Sequence, residues 1–327
     1  MHILITGAHG MIGRKLTDAL VANGTLQGTA ITQLTLVDLT APILPDGVPG
    51  AALAADLSDP AAAPALIETK PDVIFHLAAI VSGEAEANLK KGYDVNLHGT
   101  LSLCEAIAAQ PGYRPRFVFT SSIAVFGAPL PPVITDDIQP RPLTSYGTQK
   151  LMCEALIDDL SRKEVLDGVS LRLPTICIRP GAPNAAASGF YSSILREPLV
   201  GQRATLPVPE TTRHWFASPR AAVGFLRHGA ETDLSPLGQS RALNLPGVDA
   251  SVADQIAALE RIAGPRAADL IDRIPDETVQ RIVGGWPQAF DPVSARALGF
   301  VAEPDMDTII RAHVEDELGG RIPVAET

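Results

Sequence analysis

The chain has 327 residues, with 26 Lys and Arg against 37 Asp and Glu and a net charge of −11. That balance excludes a nucleic-acid surface, whose phosphates need clustered cations, and the length suits one large α/β domain plus a smaller lobe at about 100–200 residues per domain. Cys104, Cys153 and Cys177 lack a Cys-x-x-Cys spacing, the histidines lack His-Glu-x-x-His, and no apolar run nears the ~20 residues of a membrane span, so the expectations are a reduced, cytoplasmic protein without metal or membrane partner.

Residues 2–6 form a short apolar run that ends in glycines, and residues 11–21 follow with helical spacing of Met11, Ile12, Leu16, Leu20 and Val21. Further strands are predicted over 34–37 ending at Asp38, 51–55 ending at Asp56, 73–77, 117–119 and 169–173. Two long helices are predicted over 84–109 and 144–163, the second with Thr144 or Ser145 as N-cap after Pro142. Continuous apolar strands alternating with helices indicate a parallel sheet covered on both faces. Beyond Arg179-Pro180-Gly181, prolines and small polar residues multiply through Pro209, which suits a smaller C-terminal substrate lobe. A helix over 221–228 and a strand over 242–245 return the chain to the first domain before a helical portion from Ser251 onward. The expected division is 1–178 with 218–248 for the first domain, and 179–217 with 249–327 for the lobe. The fold class is α/β, doubly wound, of Rossmann type.

The turn Thr6-Gly7-Ala8-His9-Gly10-Met11-Ile12-Gly13 lies between a strand and a helix. In a dinucleotide site the first glycine permits the sharp turn, the second lets backbone amides approach the pyrophosphate, and the third lets helix and strand pack closely. The helix N-terminus, with Met11 and Ile12, attracts the phosphates. Asp38, ending the second strand, suits the two hydroxyls of the adenine-side ribose and repels a 2′-phosphate, which favours NAD over NADP. Arg14 is the residue that would upset this choice. Asp56 and Leu57 are placed near the adenine, with a helix cap as the competing role of Asp56.

Tyr146-Gly147-Thr148-Gln149-Lys150, downstream of Ser122, places a phenol and an ammonium one helical turn apart on one face. Ionising a tyrosine of pKa ~10 at neutral pH costs roughly 4 kcal/mol. An ammonium ~4 Å away offsets about that much at an effective dielectric near 20, before desolvation. Tyr146 is therefore the expected base, Lys150 its activator, and Ser122 the holder of the substrate oxygen, with Ser121 as its rival.

These motifs, together with His76-Leu77-Ala78-Ala79, Val95-Asn96-Leu97-His98-Gly99-Thr100 and Ser121-Ser122-Ile123-Ala124-Val125-Phe126-Gly127, stand in an order that resembles the extended short-chain dehydrogenase/reductase family, nearly end to end. That family includes nucleotide-sugar epimerases and dehydratases. The resemblance implies catalysis by Ser122, Tyr146 and Lys150, a steadying role for Asn96, and a cofactor lining that includes Leu77, Ala78, Ala79 and Thr120. It also implies a homodimer built through the two long helices. Phe126 stands where a tyrosine is usual, and Ile123 and Ala124 replace the Asp-Glu of the dehydratases, which argues against dehydration. Arg213-His214-Trp215-Phe216 replaces an Arg-Asp-Tyr-Ile segment whose arginine meets a diphosphate in nucleotide-sugar enzymes. A guanidinium fork suits a carboxylate equally, so Arg213 is assigned to the acid end of a small sugar acid. Ser82, Asn184 and Ser188 are assigned to the remaining hydroxyls and Thr175 to the nicotinamide amide. His214 is read as a packed or positioning residue rather than a base. The alternatives are a nucleotide-sugar epimerase and, from another class, a non-catalytic NAD-sensing protein.

Overall fold

The computed structural model describes residues 1–181 and 187–325. They form two compact units, one of residues 1–125, 140–172 and 223–244, the other of 126–139, 173–222 and 245–327.

The first unit is built on a seven-stranded sheet. Its strands are β1 (His2–Thr6), β2 (Gln33–Asp38), β3 (Gly50–Ala54), β4 (Val73–His76), β5 (Arg116–Ser122), β6 (Asp167–Leu173) and β7 (Ala242–Asn244). They lie side by side in the order β3-β2-β1-β4-β5-β6-β7, and the β1–β2, β1–β4, β2–β3, β4–β5 and β6–β7 ladders run parallel. Every residue of β1 and β4 is buried, as a parallel sheet covered on both faces requires. Helices α1 (Met11–Asn23), α2 (Gly99–Ala108) and α3 (Ser145–Arg162) belong to this unit. Leu103 and Ile107 of α2 and Cys153 and Ile157 of α3 share one core with Leu4, Ile74, Phe117 and Phe119 of the sheet. The strand order reverses between β1 and β4, and the crevice outside the carboxyl ends of such strands is where ligands bind in open α/β sheets.

The helix predicted over 84–109 is not continuous. It is divided into Ser82–Ala87, Leu89–Gly92, a π-helical turn Tyr93–His98, and α2. Asn88 leaves helical geometry (φ −131°, ψ 83°), and its side chain accepts the Lys91 amide at 3.0 Å. An asparagine that hydrogen-bonds the backbone ahead of it starts a helix more readily than it continues one. By contrast α3 begins as expected, with the Thr144 hydroxyl accepting the Gly147 amide at 3.1 Å.

In the second unit Arg213–Ala217 pairs in parallel with Thr175–Ile176 and antiparallel with Val248–Ser251. Ser251 then caps the helix Val252–Ala263 through a reciprocal box with Asp254. That helix and those over Gly189–Leu199 and Met306–Leu318 close on a core containing Ile194, Leu195, Phe216, Leu259, Ile309 and Ile310. The portion after residue 251, expected to be helical, also supplies two short strands: Ile271–Arg273 pairs with Ala204–Leu206, and Phe290–Asp291 with Ile134–Thr135. No helix among the described residues is long and apolar enough to cross a membrane.

Candidate active site

The turn after β1 and the loop after β4 meet so closely that a side chain has no room. Gly7 has φ +75°, and a Cβ on it would lie 2.7 Å from the Ala78 nitrogen and 2.8 Å from the Leu77 carbonyl carbon. Gly13, in the first turn of α1, would place a Cβ 2.2 Å from the Gly7 oxygen. The Leu77 amide donates to the Thr6 carbonyl at 3.1 Å, which fixes half-buried Leu77, Ala78 and Ala79 beside the glycine turn. Helix α1 starts at Gly10 with no side-chain cap and no acidic residue in its first turn, so the amides at Met11 and Ile12 suit an anion. Arg14 is exposed one residue beyond Gly13.

Asp38 accepts the His9 amide at 2.9 Å and the Leu39 amide at 2.7 Å. Its carboxylate is thereby held at the carboxyl end of β2 against the glycine turn. A bare backbone cradle and a fixed carboxylate fit NAD, with its free ribose hydroxyls. Asp56 accepts the Ser58 amide at 2.9 Å and the Ser58 hydroxyl at 2.7 Å, and so closes a turn instead of capping a helix. Leu57 is a core residue packed against Gly99.

The end of β5 presents Thr120, Ser121 and Ser122 in succession, and α3 packs on this strand and on the turn Ile123–Val125. Ser121 is buried, and its hydroxyl donates to Glu154 at 2.5 Å. Half-buried Ser122 accepts the Ala124 amide at 3.1 Å, which leaves its hydroxyl hydrogen for a ligand. Of the two neighbours, Ser121 has its hydroxyl hydrogen engaged by Glu154, whereas Ser122 accepts only the Ala124 amide. Tyr146 is half-buried in the first turn of α3. One turn on, Lys150 is 2 % exposed; its Nζ donates to the Thr120 carbonyl at 2.8 Å and lies 5.6 Å from the centroid of the Tyr146 ring. Burial lowers the Lys150 pKa to about 8, opposed by Cys153 and Glu154. It stays predominantly an ammonium at neutral pH. Thr120 is itself tied down by its hydroxyl, which donates to the His76 carbonyl at 3.1 Å.

Asn96 lies on the π-helical turn and clamps two elements. Its Oδ1 accepts the Ile80 amide at 2.8 Å, and its Nδ2 donates to the Ile80 carbonyl at 3.2 Å and to Gln149 Oε1 at 2.8 Å. It joins the loop after β4 to α3, a positioning role. His76, fully buried, is bonded to Thr6 Oγ1 at 2.7 Å and Thr100 Oγ1 at 2.8 Å, and burial first, then Lys150, lowers its pKa to about 3.

The remaining predicted site residues are distributed differently. Ser82, half-buried, opens the short helix Ser82–Ala87 in the first unit. Asn184 lies outside the described residues. In the second unit, Ser188 accepts a contact from Arg179 at 3.4 Å. Arg213, with its side chain 43 % exposed, donates from Nε to Asp249 at 3.0 Å and lies 3.7 Å from Asp254. Thr175 Oγ1 is bonded to His214 Nε2 at 2.6 Å. His214 is buried, with Nδ1 on the Pro287 carbonyl at 3.0 Å and its ring stacked on Tyr191, and burial lowers its pKa to about 4. Those contacts describe a packed residue, as its sequence neighbours indicate.

Sequence reading gave no role to Gln149, Glu154 or Arg172. Glu154 and Arg172 form a buried two-pronged pair, with Nε to Oε1 at 3.0 Å and Nη2 to Oε2 at 2.8 Å. The available signal was spacing: Glu154 follows Tyr146 by two turns, on the face that must point inward.

Residues 3–215 match the model of the NAD dependent epimerase/dehydratase family. The chain is 46 % identical to D-erythronate dehydrogenase of Cupriavidus necator over 320 residues, covering 97 % of this chain and 98 % of that protein. It is 40 % identical to D-erythronate dehydrogenase of Haemophilus influenzae over 319 residues, covering 97 % and 100 %. A crystal structure described as the nucleoside-diphosphate-sugar epimerase from Agrobacterium tumefaciens superposes with a TM-score of 0.97 at 57 % identity, covering 98 % of this chain and 96 % of that one. With the glycine cradle, the Asp38 carboxylate and the Tyr146–Lys150 pair all in place, the chain belongs to the NAD-dependent epimerase/dehydratase family.

Proposed function

We propose that this protein oxidises the C2 hydroxyl of a small sugar acid, D-erythronate, to 2-oxo-D-erythronate, in carbohydrate-acid catabolism. The observation that carries the reading is the buried Lys150 ammonium beside the Tyr146 ring, in a chain collinear with two D-erythronate dehydrogenases. Ser122 and Tyr146 hold the C2 hydroxyl, and Tyr146 takes its proton as the C2–H bond breaks. NAD, when bound, supplies the hydride acceptor. Lys150 lowers the cost of the phenolate. Arg213 takes the substrate carboxylate in exchange for its present acceptor Asp249, Ser82, Asn184 and Ser188 take the other hydroxyls, and Thr175 takes the nicotinamide amide. Ile123 and Ala124 supply no acid or base for loss of water. The same reading carries a cytoplasmic homodimer joined through α3 and the divided helix before it, where Leu89 and Met152 are exposed.

The name given to the Agrobacterium structure favours a second reading, a nucleotide-sugar epimerase. It uses the same Tyr146 and Lys150 but returns the hydride and releases no NADH. A panel of C4 to C6 sugar acids with NAD, run beside UDP-sugars and followed by NADH absorbance, separates the two. D-erythronate is expected to yield stoichiometric NADH, and Tyr146→Phe to lower kcat by about 100-fold or more. Conversion of a UDP-sugar without net reduction, and no NADH from any acid, would replace the dehydrogenase with the epimerase.

A further inference from the structure

We infer that Glu154 is a positioning residue for the proton-transfer pair: clamped by Arg172 and gripping Ser121, it sets α3 against the end of β5, and with it the spacing of Tyr146 and Lys150 from Ser122. The inference rests on Tyr146 and Lys150 being that pair, a feature shared by the dehydrogenase and epimerase readings.

Two adjacent residues of β5 are tied to one face of α3. The Thr120 carbonyl accepts from Lys150 Nζ at 2.8 Å, and the Ser121 hydroxyl donates to Glu154 Oε1 at 2.5 Å. Ser122 follows immediately. On α3 the participants are Lys150 and Glu154, each one turn beyond the last, with Tyr146 one turn before. Glu154 is in turn locked to β6 by the two-pronged Arg172 pair, and Arg172 Nη1 reaches Asn244 of β7 at 3.2 Å. The network thus runs from the edge of the sheet to the helix face that carries the base.

Stability alone does not account for such a network. The side chains of Arg172 and Glu154 are 9 % and 3 % exposed, and taking two ions out of water offsets much of their mutual attraction, so well-packed apolar residues of the same volume are often equally stable. Charge balance supplies a reason. Glu154 offsets Arg172, Lys150 adds one positive charge, and a phenolate at Tyr146 neutralises it. The groups around Lys150 are Tyr146, Cys153 and Glu154 on its own helix, neutral His76 on β4, and the Thr120 carbonyl and Phe119 ring on β5. Removing the negative charge of Glu154 lowers the pKa of every proton-bearing group nearby, phenol and ammonium alike.

The test is Glu154→Gln in the full chain, which keeps shape and removes charge. Active sites are counted by NADH fluorescence titration, and turnover is followed on D-erythronate, or on the UDP-sugar if that proves to be the substrate. We expect kcat per active site to fall about 10- to 100-fold with KM values for NAD and substrate within about two-fold. The pH–kcat curve should move toward acid by about half a unit or more. Glu154→Asp should recover part of kcat. Should Glu154→Gln fail to fold, Ser121→Ala cuts the strand-side tie and leaves the ion pair intact; about a three-fold or larger loss of kcat at unchanged KM is expected. Loss of active sites with an unmoved pH–kcat curve, or parental kcat in Ser121→Ala, would reduce Glu154 to a packing residue. Absence of turnover on both substrate classes by the parent chain would instead strike the functional reading.

Discussion

Each oxygen of the Asp38 carboxylate has one backbone amide on it, from His9 and from Leu39, and therefore keeps a lone pair free for a ribose hydroxyl. The same charge repels a 2′-phosphate. Asp38→Ser should relax the preference for NAD over NADP by about ten-fold or more in kcat/KM, measured with both cofactors; unaltered discrimination would move the choice to Arg14. Asp38 was legible because its place at a strand end is a matter of local order along the chain. Ser122 was legible only as one of two neighbours. What separates it from Ser121 is a carboxylate 33 positions away, and no local pattern states which of two adjacent hydroxyls such a group will claim. Around Asp56 and Leu57 the local contacts, a turn closed on Ser58 and packing into the core, likewise depend on neighbours that strand periodicity does not state.

At the level of elements, β1, the turn and the start of α1 were readable because a buried parallel strand, a glycine and an amphipathic helix each leave a periodic mark, while α1 runs two residues past the predicted end at 21, to Asn23. The division of the helix predicted over 84–109 was not, since apolar spacing persists through a one-residue break. Asn88, which holds the Lys91 amide instead of continuing the helix, makes that break. The π-helical turn beyond it carries Asn96 inward to Ile80 and Gln149. The glycine turn permits a sharper test. In Gly7→Ala the new methyl meets the Ala78 nitrogen at 2.7 Å on a backbone with φ +75°. The turn and the loop after β4 must then part, so NADH affinity in fluorescence titration should fall by about 100-fold. Parental affinity would show that this close approach does not shape the cofactor cradle.

For the molecule as a whole, the order 3-2-1-4-5-6-7 of the sheet follows from parallel strands joined by crossovers on both sides of β1. The second unit was less legible. Strands such as Ile271–Arg273 and Phe290–Asp291 have too few residues to show a period of two. Global stability carries the imprint of one buried charge. The Lys150 pKa falls from 10.5 to about 8 on folding, so between these values the unfolded chain binds more protons and stability rises with pH. The cost of burying the ammonium is therefore complete below about pH 8 and gone above about 10.5, and it amounts to about 3 kcal/mol. Lys150→Met should accordingly raise Tm at neutral pH, with the gain shrinking across that window. A gain that stays constant to pH 10.5 would show that the ammonium is not the source.

Thr100 gives its single hydroxyl hydrogen to the Asn96 carbonyl at 2.7 Å, so toward His76 it can only accept, and the imidazole hydrogen must sit on Nε2. Nδ1 then accepts from Thr6, whose oxygen faces the Ala78 amide at 3.5 Å. Every arrow in this relay points from the loop after β4 toward Asn96. With the ring's pKa driven to about 3, the relay keeps its polarity at any pH a cell experiences, and an inflection near pH 6 in the enzyme's rate belongs to some other group.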